Sequence, residues 1–322
     1  VLRLLRVLSP LGDLPRFRRN PNGFLLDAAR ESGDLAHLRL GAQNIYLVSH
    51  PDAIRDVLVT HQANFTKSRM LERAKVLLGD GLLTSEGDFH TRQRRLVQPA
   101  FHRDRLVRYA ADMVACARRA RESWTPGVEY DMHREMTRLT LAIVGRTLFS
   151  ADVSSDADEI GVAMTQIFSL FDTLLLPFSD WIQKLPIPPV RRFEKARDKL
   201  DEIVYGLIAQ RRASGEDTGD LLSMLLLAHD EDKDEDKDED NHAGMTDKQV
   251  RDEALTLLIA GHETTANALT WTWYLLSQNP QAEARMHAEI DTVLGGKLPT
   301  FDDVPLLPYT TGVFAESLRL YP

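Results

Sequence analysis

The stretch Ala260-Gly261-His262-Glu263-Thr264-Thr265 sits in the middle of a long apolar segment, where an acid beside two hydroxyls and a glycine contradicts every local preference. Conflicts of this kind concentrate where chemistry is done. The surrounding residues predict a helix: Thr246 and Gln249 form a capping box, apolar residues recur from Ala254 through Leu276, and Asn279-Pro280 ends the run. About 30 residues at roughly 1.5 Å each give a rod of about 45 Å, long enough to cross a domain. Mid-helix glycine costs about 1 kcal/mol relative to alanine and threonine is a below-average helix former. Helix stability alone does not account for either.

Leu257, Ala260, Gly261, Thr264 and Ala268 are spaced i, i+3, i+4, i+7 and i+11, which places them on one nearly flat face carrying a single hydroxyl. Such a face admits a large planar ligand close to the backbone, and Thr264 can bond back to the Ala260 carbonyl and bend or open the helix. Glu263 points partly aside and is a candidate proton carrier. The competing reading is close helix packing with a satisfied core glutamate. A zinc-protease reading of His262-Glu263 fails, because position 266, where a second histidine is required, is Ala266.

The segment resembles the Ala-Gly-x-(Asp or Glu)-Thr-Thr motif of the cytochrome P450 monooxygenases, matched in full by Ala260, Gly261, Glu263, Thr264 and Thr265. Two more motifs of that family follow the right order. Glu316-Ser317-Leu318-Arg319, followed by Leu320-Tyr321-Pro322, resembles its Glu-x-x-Arg. His90-Thr91-Arg92-Gln93-Arg94 resembles the helix whose first and fifth residues hold the haem propionates, and Leu96-Val97-Gln98-Pro99-Ala100-Phe101-His102 is also typical. Each motif alone is weak; together, in order, they are strong, and the resemblance covers essentially the whole chain. It implies a mainly α fold with a small β-sheet, one domain over residues 1–322, and haem b (iron protoporphyrin IX) as cofactor. It further implies insertion of one oxygen atom of O2 into an apolar organic substrate, with electrons from a ferredoxin or flavoprotein. Thr264 would offer its hydroxyl to dioxygen or its water, Glu263 would relay protons, Ala260 and Gly261 would make room, and His90 with Arg94 would grip the haem carboxylates. Glu316 and Arg319 would form a structural ion pair buried against a later loop.

Composition is compatible with this. The chain has 322 residues, 43% of them apolar, enough for a large core. One cysteine excludes a disulfide framework and fits a reducing, cytoplasmic setting. No apolar run reaches the 18 or so residues that span a bilayer, so no membrane anchor is visible. Most of the net charge of −9 lies in Asp230–Asp240, nine acids and two lysines, which reads as a solvated, low-complexity loop insertion. It is not an EF-hand, lacking the glycine and the spaced glutamate.

Alternation on either side of Gly41, over 34–40 and 44–48, predicts a hairpin. Helices are expected over 51–60, around His90 and Arg94, and over 106–124, 132–149, 156–175 and 190–213, with 67–84 as a glycine- and leucine-rich connector. In the family the last two of these helices and their loop form a lid. Phe168, Phe171, Leu174, Leu175, Leu176, Phe178 and Trp181 there point to an apolar substrate or to ordinary core. Arg92, Arg95, Arg103, Arg105 and Arg108 crowd the His90 helix; in an acidic chain without a nucleic-acid motif, they read as a solvated face or as a docking surface for an acidic electron donor.

Haem-thiolate enzymes ligate iron through a cysteine, and the family places it downstream of Glu-x-x-Arg. Cys116, the single cysteine, reads as a small core residue on a helix. The expectation is therefore no metal ligand within these residues, an axial cysteine downstream of Pro322, and a chain truncated after the Glu-x-x-Arg helix. Two alternatives stand beside the monooxygenase: a peroxygenase or isomerase on the same fold, and a non-catalytic fragment that binds haem weakly or not at all.

Overall fold

The computed structural model describes residues 11–41, 43–151, 157–174, 185, 187–228 and 245–322. The acidic run 230–240 lies outside them. So do Leu175, Leu176, Phe178 and Trp181 of the expected lid, and the side chains of Phe168, Phe171 and Leu174. The fold is mainly helical with a small antiparallel sheet, and Cα proximity divides it into two compact units.

The smaller unit comprises residues 1–70 and 172–185. Within it, α1 (Leu14–Arg19) and α2 (Pro21–Ser32) precede strands β1 (Leu35–Leu40) and β2 (Gln43–Val48), which pair from Leu35 opposite Val48 to Leu40 opposite Gln43. Phe24 and Ala28 from α2 close against Ala36 and Leu38 from β1, as the alternation of inward residues on a strand requires. Helix α3 (Pro51–Arg55) continues as a π-helical turn over Asp56–Thr60, so the expected helix over 51–60 changes hydrogen-bond pattern midway.

The larger unit holds α4 (Arg69–Leu78, shared with the smaller unit at its first residues), α5 (Gly87–Val97), α6 (Arg103–Ser123), α7 (Met132–Phe149) and α8 (Ala157–Leu174). It continues with α9 (Pro188–Ser214), α10 (Leu221–Leu227), α11 (Asp247–Gln278), α12 (Pro280–Leu294) and α13 (Pro308–Leu320). Helix α4 occupies most of the segment expected to be a connector. Ala74, Leu77 and Leu78 are buried on its inner face, and Gly79 at φ +57° ends it, an αL position that suits glycine. The core gathers Leu141, Val144 and Leu148 from α7, Leu200, Val204 and Ile208 from α9, Leu221 and Leu225 from α10, and Val250, Ala254 and Leu255 from α11. Helix α11 packs most extensively along α7.

At the α9–α10 corner, Arg211 is 12% exposed and Asp220 3%. Arg211 Nη1 and Nη2 reach the two Asp220 oxygens at 2.7 and 2.9 Å, Nη2 also donates to the Phe149 carbonyl, and Ser223 N–H donates to Asp220 Oδ1. Burial raises the Asp220 pKa, but the bonds from Arg211 and Ser223 outweigh it and hold the carboxyl below the usual carboxylate value.

Candidate functional site

Helix α11 carries the site, and its start explains why it stays put. The capping box forms as the sequence predicts: Gln249 N–H donates to Thr246 Oγ1, and Thr246 N–H donates to Gln249 Oε1 at 2.9 Å. One turn on, Arg251, Asp252 and Glu253 are all buried. Asp252 accepts from Lys248 Nζ at 2.7 Å, from Arg251 Nη1 at 2.9 Å and from the Asp80 amide at 3.0 Å; Glu253 accepts from the Leu82 amide at 3.0 Å. Arg251 also pairs with Asp201 on α9. The loop Gly79–Ser85 is thereby fastened to α11, and it runs directly into α5 with His90 and Arg94. Both early loop glycines are required by that approach. A Cβ at Gly81 would lie 2.4 Å from Thr256 Oγ1 and 2.7 Å from the Asp252 carbonyl oxygen, and one at Gly79 would lie 2.2 Å from the Asp252 carboxyl.

About 11 residues further along, roughly 16 Å at 1.5 Å per residue, the helix reaches the opening motif. Ala260, Thr264 and Thr265 are exposed, Glu263 is half-buried, and His262 and Ala266 are buried. Thr264 Oγ1 donates to the Ala260 carbonyl at 2.6 Å. The helix nevertheless runs as unbroken α-helix from Asp247 to Gln278, and Thr256, Thr270 and Thr272 make the same bond one turn back. The back-bond therefore opens nothing. Gly261 turns away from the exposed strip: a Cβ there would meet Val144 Cγ2 at 3.2 Å, so the absent side chain lets α7 approach. Ala268 is buried as well. The open strip is Ala260 and Thr264, extended to Trp271, whose ring stacks on Tyr321 with centroids 4.0 Å apart.

Glu263 is fixed from one side, with Asn267 Nδ2 donating to its Oε1 at 3.2 Å, while Oε2 lies 4.0 Å from His262 Nδ1. His90 and Arg94 share a face of α5; His90 is half-buried with Nδ1 3.4 Å from Ser85 Oγ. Arg94 is exposed, and among the described residues no carboxylate is paired with it. A flat wall with no side chain beyond Cβ at Ala260 and an unneutralised guanidinium on α5 fit a planar ligand bearing carboxylates. No cluster of three or more His, Cys, Asp or Glu among the described residues could hold a metal ion. Cys116 is 3% exposed, in the α6 core, with Arg119 Nη2 at 3.4 Å from its sulfur.

Arg319 and Glu316 form a bidentate pair, both bonds 2.7 Å, yet the side chains are 67% and 54% exposed. The bond to Arg319 holds the Glu316 carboxyl below its ordinary value. Among the outer arginines, Arg105 turns inward and donates to the Gly219 carbonyl at 2.5 Å, and Arg103 lies 3.8 Å from Asp302. No helix among the described residues is long and apolar enough to cross a membrane. In the sequence alone His262 suggests only a zinc ligand, and Asp252, Glu253 and Asn267 do not stand out. Three consecutive charges inside an apolar helix were the available signal for the first two.

A model of the cytochrome P450 family matches residues 3–322. Cyclooctatin synthase of Streptomyces melanosporofaciens is 40% identical over 306 residues, 94% of this chain and 65% of its own. Cyclooctat-9-en-7-ol 5-monooxygenase of the same organism is 39% identical over 314 residues, 97% of this chain and 66% of its own. Pentalenene oxygenase of Streptomyces avermitilis is 36% identical over 315 residues, 97% and 67%. The chain thus spans about two thirds of the length of these curated relatives.

Proposed function

Because the chain belongs to the cytochrome P450 family, we propose that the whole protein is a haem-dependent monooxygenase. It inserts one oxygen atom of O2 into an apolar organic molecule with two electrons from a separate ferredoxin or flavoprotein. Both compact units fall within the match over residues 3–322, which supports reading them as parts of one domain. Two relatives are named for an alkene and an unsaturated alcohol, pentalenene and cyclooctat-9-en-7-ol. A substrate of that apolar kind is our reading for this protein.

Haem, when bound, supplies the redox-active iron at which dioxygen is reduced and split. This chain's residues do the rest. Arg94 and His90 hold the carboxylate edge, with guanidinium and imidazole on one face of α5. Ala260 leaves the strip beside Thr264 without bulk. Thr264 donates its hydroxyl hydrogen bond to the Ala260 carbonyl, and a small χ1 rotation exchanges that bond for one donated into the site. Glu263, oriented through Oε1 by Asn267, carries protons to that hydroxyl. The overall reaction consumes two protons per oxygen inserted, so a proton route is part of the catalyst. Exposed Arg95 on α5 and Arg103 and Arg108 on α6 are the surface we assign to an acidic electron donor.

The exposed Ala260–Thr264 strip beside a held Glu263 is the observation that carries this reading. In the complete, haem-loaded protein, Thr264→Ala should divert electrons from product to peroxide or water, lowering product formed per electron consumed. Unchanged coupling in Thr264→Ala refutes the role assigned to Thr264.

A further inference from the structure

Helix α11 buries one titratable side chain that the chemistry above leaves unused. His262 is 1% exposed, and its Nε2 has no hydrogen-bond partner among the described residues. A ring nitrogen left unpaired in a buried position destabilises the fold, and an apolar residue at 262 would avoid that cost. Its other nitrogen, Nδ1, faces Glu263 Oε2 at 4.0 Å, the very oxygen that Asn267 does not hold. The exposed strip of α11 is the side on which the proposed function seats haem and substrate, so with that side covered Glu263 requires protons from the opposite, α7 side. His262 is on that side, within electrostatic reach of His133 near the exposed start of α7.

We propose that His262 is a proton-relay residue that recharges Glu263 from the α7 side, an inference that rests on the reading of Glu263 as the proton carrier. In the transfer the Nδ1–H bond breaks and an O–H bond forms on Glu263 Oε2, while Nε2 takes a proton from a hydronium ion entering past His133 and releases water. The ring ends neutral, as it began, in the other tautomer, and loss of the Nε2 proton to water with uptake of one from water at Nδ1 restores the first. A separation of 4.0 Å is bridged by one water or by a small side-chain rotation. The protonation state suits the task. Burial lowers the His262 pKa most strongly, the Glu263 carboxylate partly offsets this, and His133 adds to the lowering. Glu263 from the same helix and His133 from α7 are the titratable groups that act on it, and the result is a neutral imidazole with one donor and one acceptor at neutral pH.

The test uses the complete haem-loaded protein in its reduced carbon monoxide form for spectroscopy and in turnover for kinetics. With labelled histidine, nuclear magnetic resonance should show one imidazole titrating below the ordinary histidine value, and Glu263→Gln should move that midpoint lower still. An unmoved midpoint overturns the proposed contact without reference to activity, and this readout does not require a substitution in the core. In turnover, His262→Gln, which keeps hydrogen-bonding capacity but cannot relay, should lower coupled product formation by about tenfold or more. A His262→Gln/Glu263→Gln double variant should be no worse than Glu263→Gln alone. His262→Asn serves as the second variant if the first loads haem poorly. If Glu263→Gln leaves turnover and coupling intact, the Glu263 reading fails and the relay with it. If Glu263→Gln impairs turnover while both His262 variants do not, the relay alone is overturned and His262 is a packing residue.

Discussion

The fastening of the Gly79–Ser85 loop to α11 is open to a quantitative test through Asp252→Ala. Asp252 is 2% exposed and accepts three hydrogen bonds, from the Asp80 amide, Arg251 and Lys248. Losing one partner of a buried ion pair costs about 3 to 5 kcal/mol. The lower end applies here, since Arg251 keeps Asp201 and the Lys248 side chain is 64% exposed and turns to water. The Asp80 amide, on an exposed residue, turns to water and adds little to that loss. At about 2 °C per kcal/mol for a chain of this size, a total near 3 kcal/mol lowers the Tm by roughly 6 °C. Asp252→Asn, which retains one acceptor and the volume, should lose about half as much. Gly81→Ala attacks the same contact from the other side, driving a Cβ to 2.4 Å from Thr256 Oγ1, an overpacking worth about 1 to 3 kcal/mol. The assay is thermal unfolding by circular dichroism at several scan rates, paired with haem retention, because a loosened loop also loosens Ser85 against His90. A Tm within about 1 °C of the parent for Asp252→Ala refutes the tether. A full Tm loss with undiminished haem retention keeps the tether but severs it from the α5 site.

Two further outcomes are expected. The Asp220 carboxyl titrates below the ordinary aspartate value of 3.8 in the fold, so its contribution is fully present above pH 3.8 and is lost as pH falls through the lower folded pKa. The stability gap between the parent and Asp220→Asn, measured by urea unfolding, should therefore be constant from pH 5 to 7 and shrink only below pH 3.8; a gap that closes near pH 6 contradicts the assignment. Ala260→Leu adds a side chain on the exposed strip, where helix propensity differs by only about 0.2 kcal/mol. Its Tm without haem should match the parent while haem affinity or turnover falls about tenfold or more. Equal haem binding and turnover would show that the strip is not the ligand wall.

Local signals carried much of the fold. The capping box, the hairpin about Gly41 and the α5 and α7 helices appear where residue spacing places them, because each is decided by contacts within a few residues. Helix α4 is masked in the sequence by Gly79 and Gly81, which give the whole segment a loop-like composition, although Ala74, Leu77 and Leu78 carry a helical stripe and Gly79 is its C-terminal stop. Gly261 lies off the exposed strip for a geometric reason. Consecutive helix residues are about 100° apart, so Ala260 and Gly261 cannot both look straight at one ligand, and only the partner helix, invisible in a single sequence, decides which of them does.

Hydrogen bonding separates the polar residues that hold α11 from those that act on it. Thr256, Thr264, Thr270 and Thr272 all donate to the carbonyl four residues back, so that bond cannot be what marks Thr264. Exposure distinguishes it: Thr256 is buried under Gly81 and Thr270 and Thr272 are half-buried, whereas Thr264 opens onto a strip whose neighbour, Ala260, covers nothing. The acids divide in the same way. Asp252 is met by buried Arg251 and Asp220 by half-buried Arg211, each with a backbone amide beside it, an arrangement whose energy is lost if either carboxylate takes a proton. Glu263 receives one amide bond on one oxygen and leaves the other facing an imidazole. The proton-carrying role we propose for Glu263 requires it to be held this loosely, because each additional donor would stabilise the carboxylate and slow its reprotonation. Replacing His262 by a strong permanent donor should therefore impair Glu263 as surely as removing it, a consequence that a purely structural role for the imidazole would not produce.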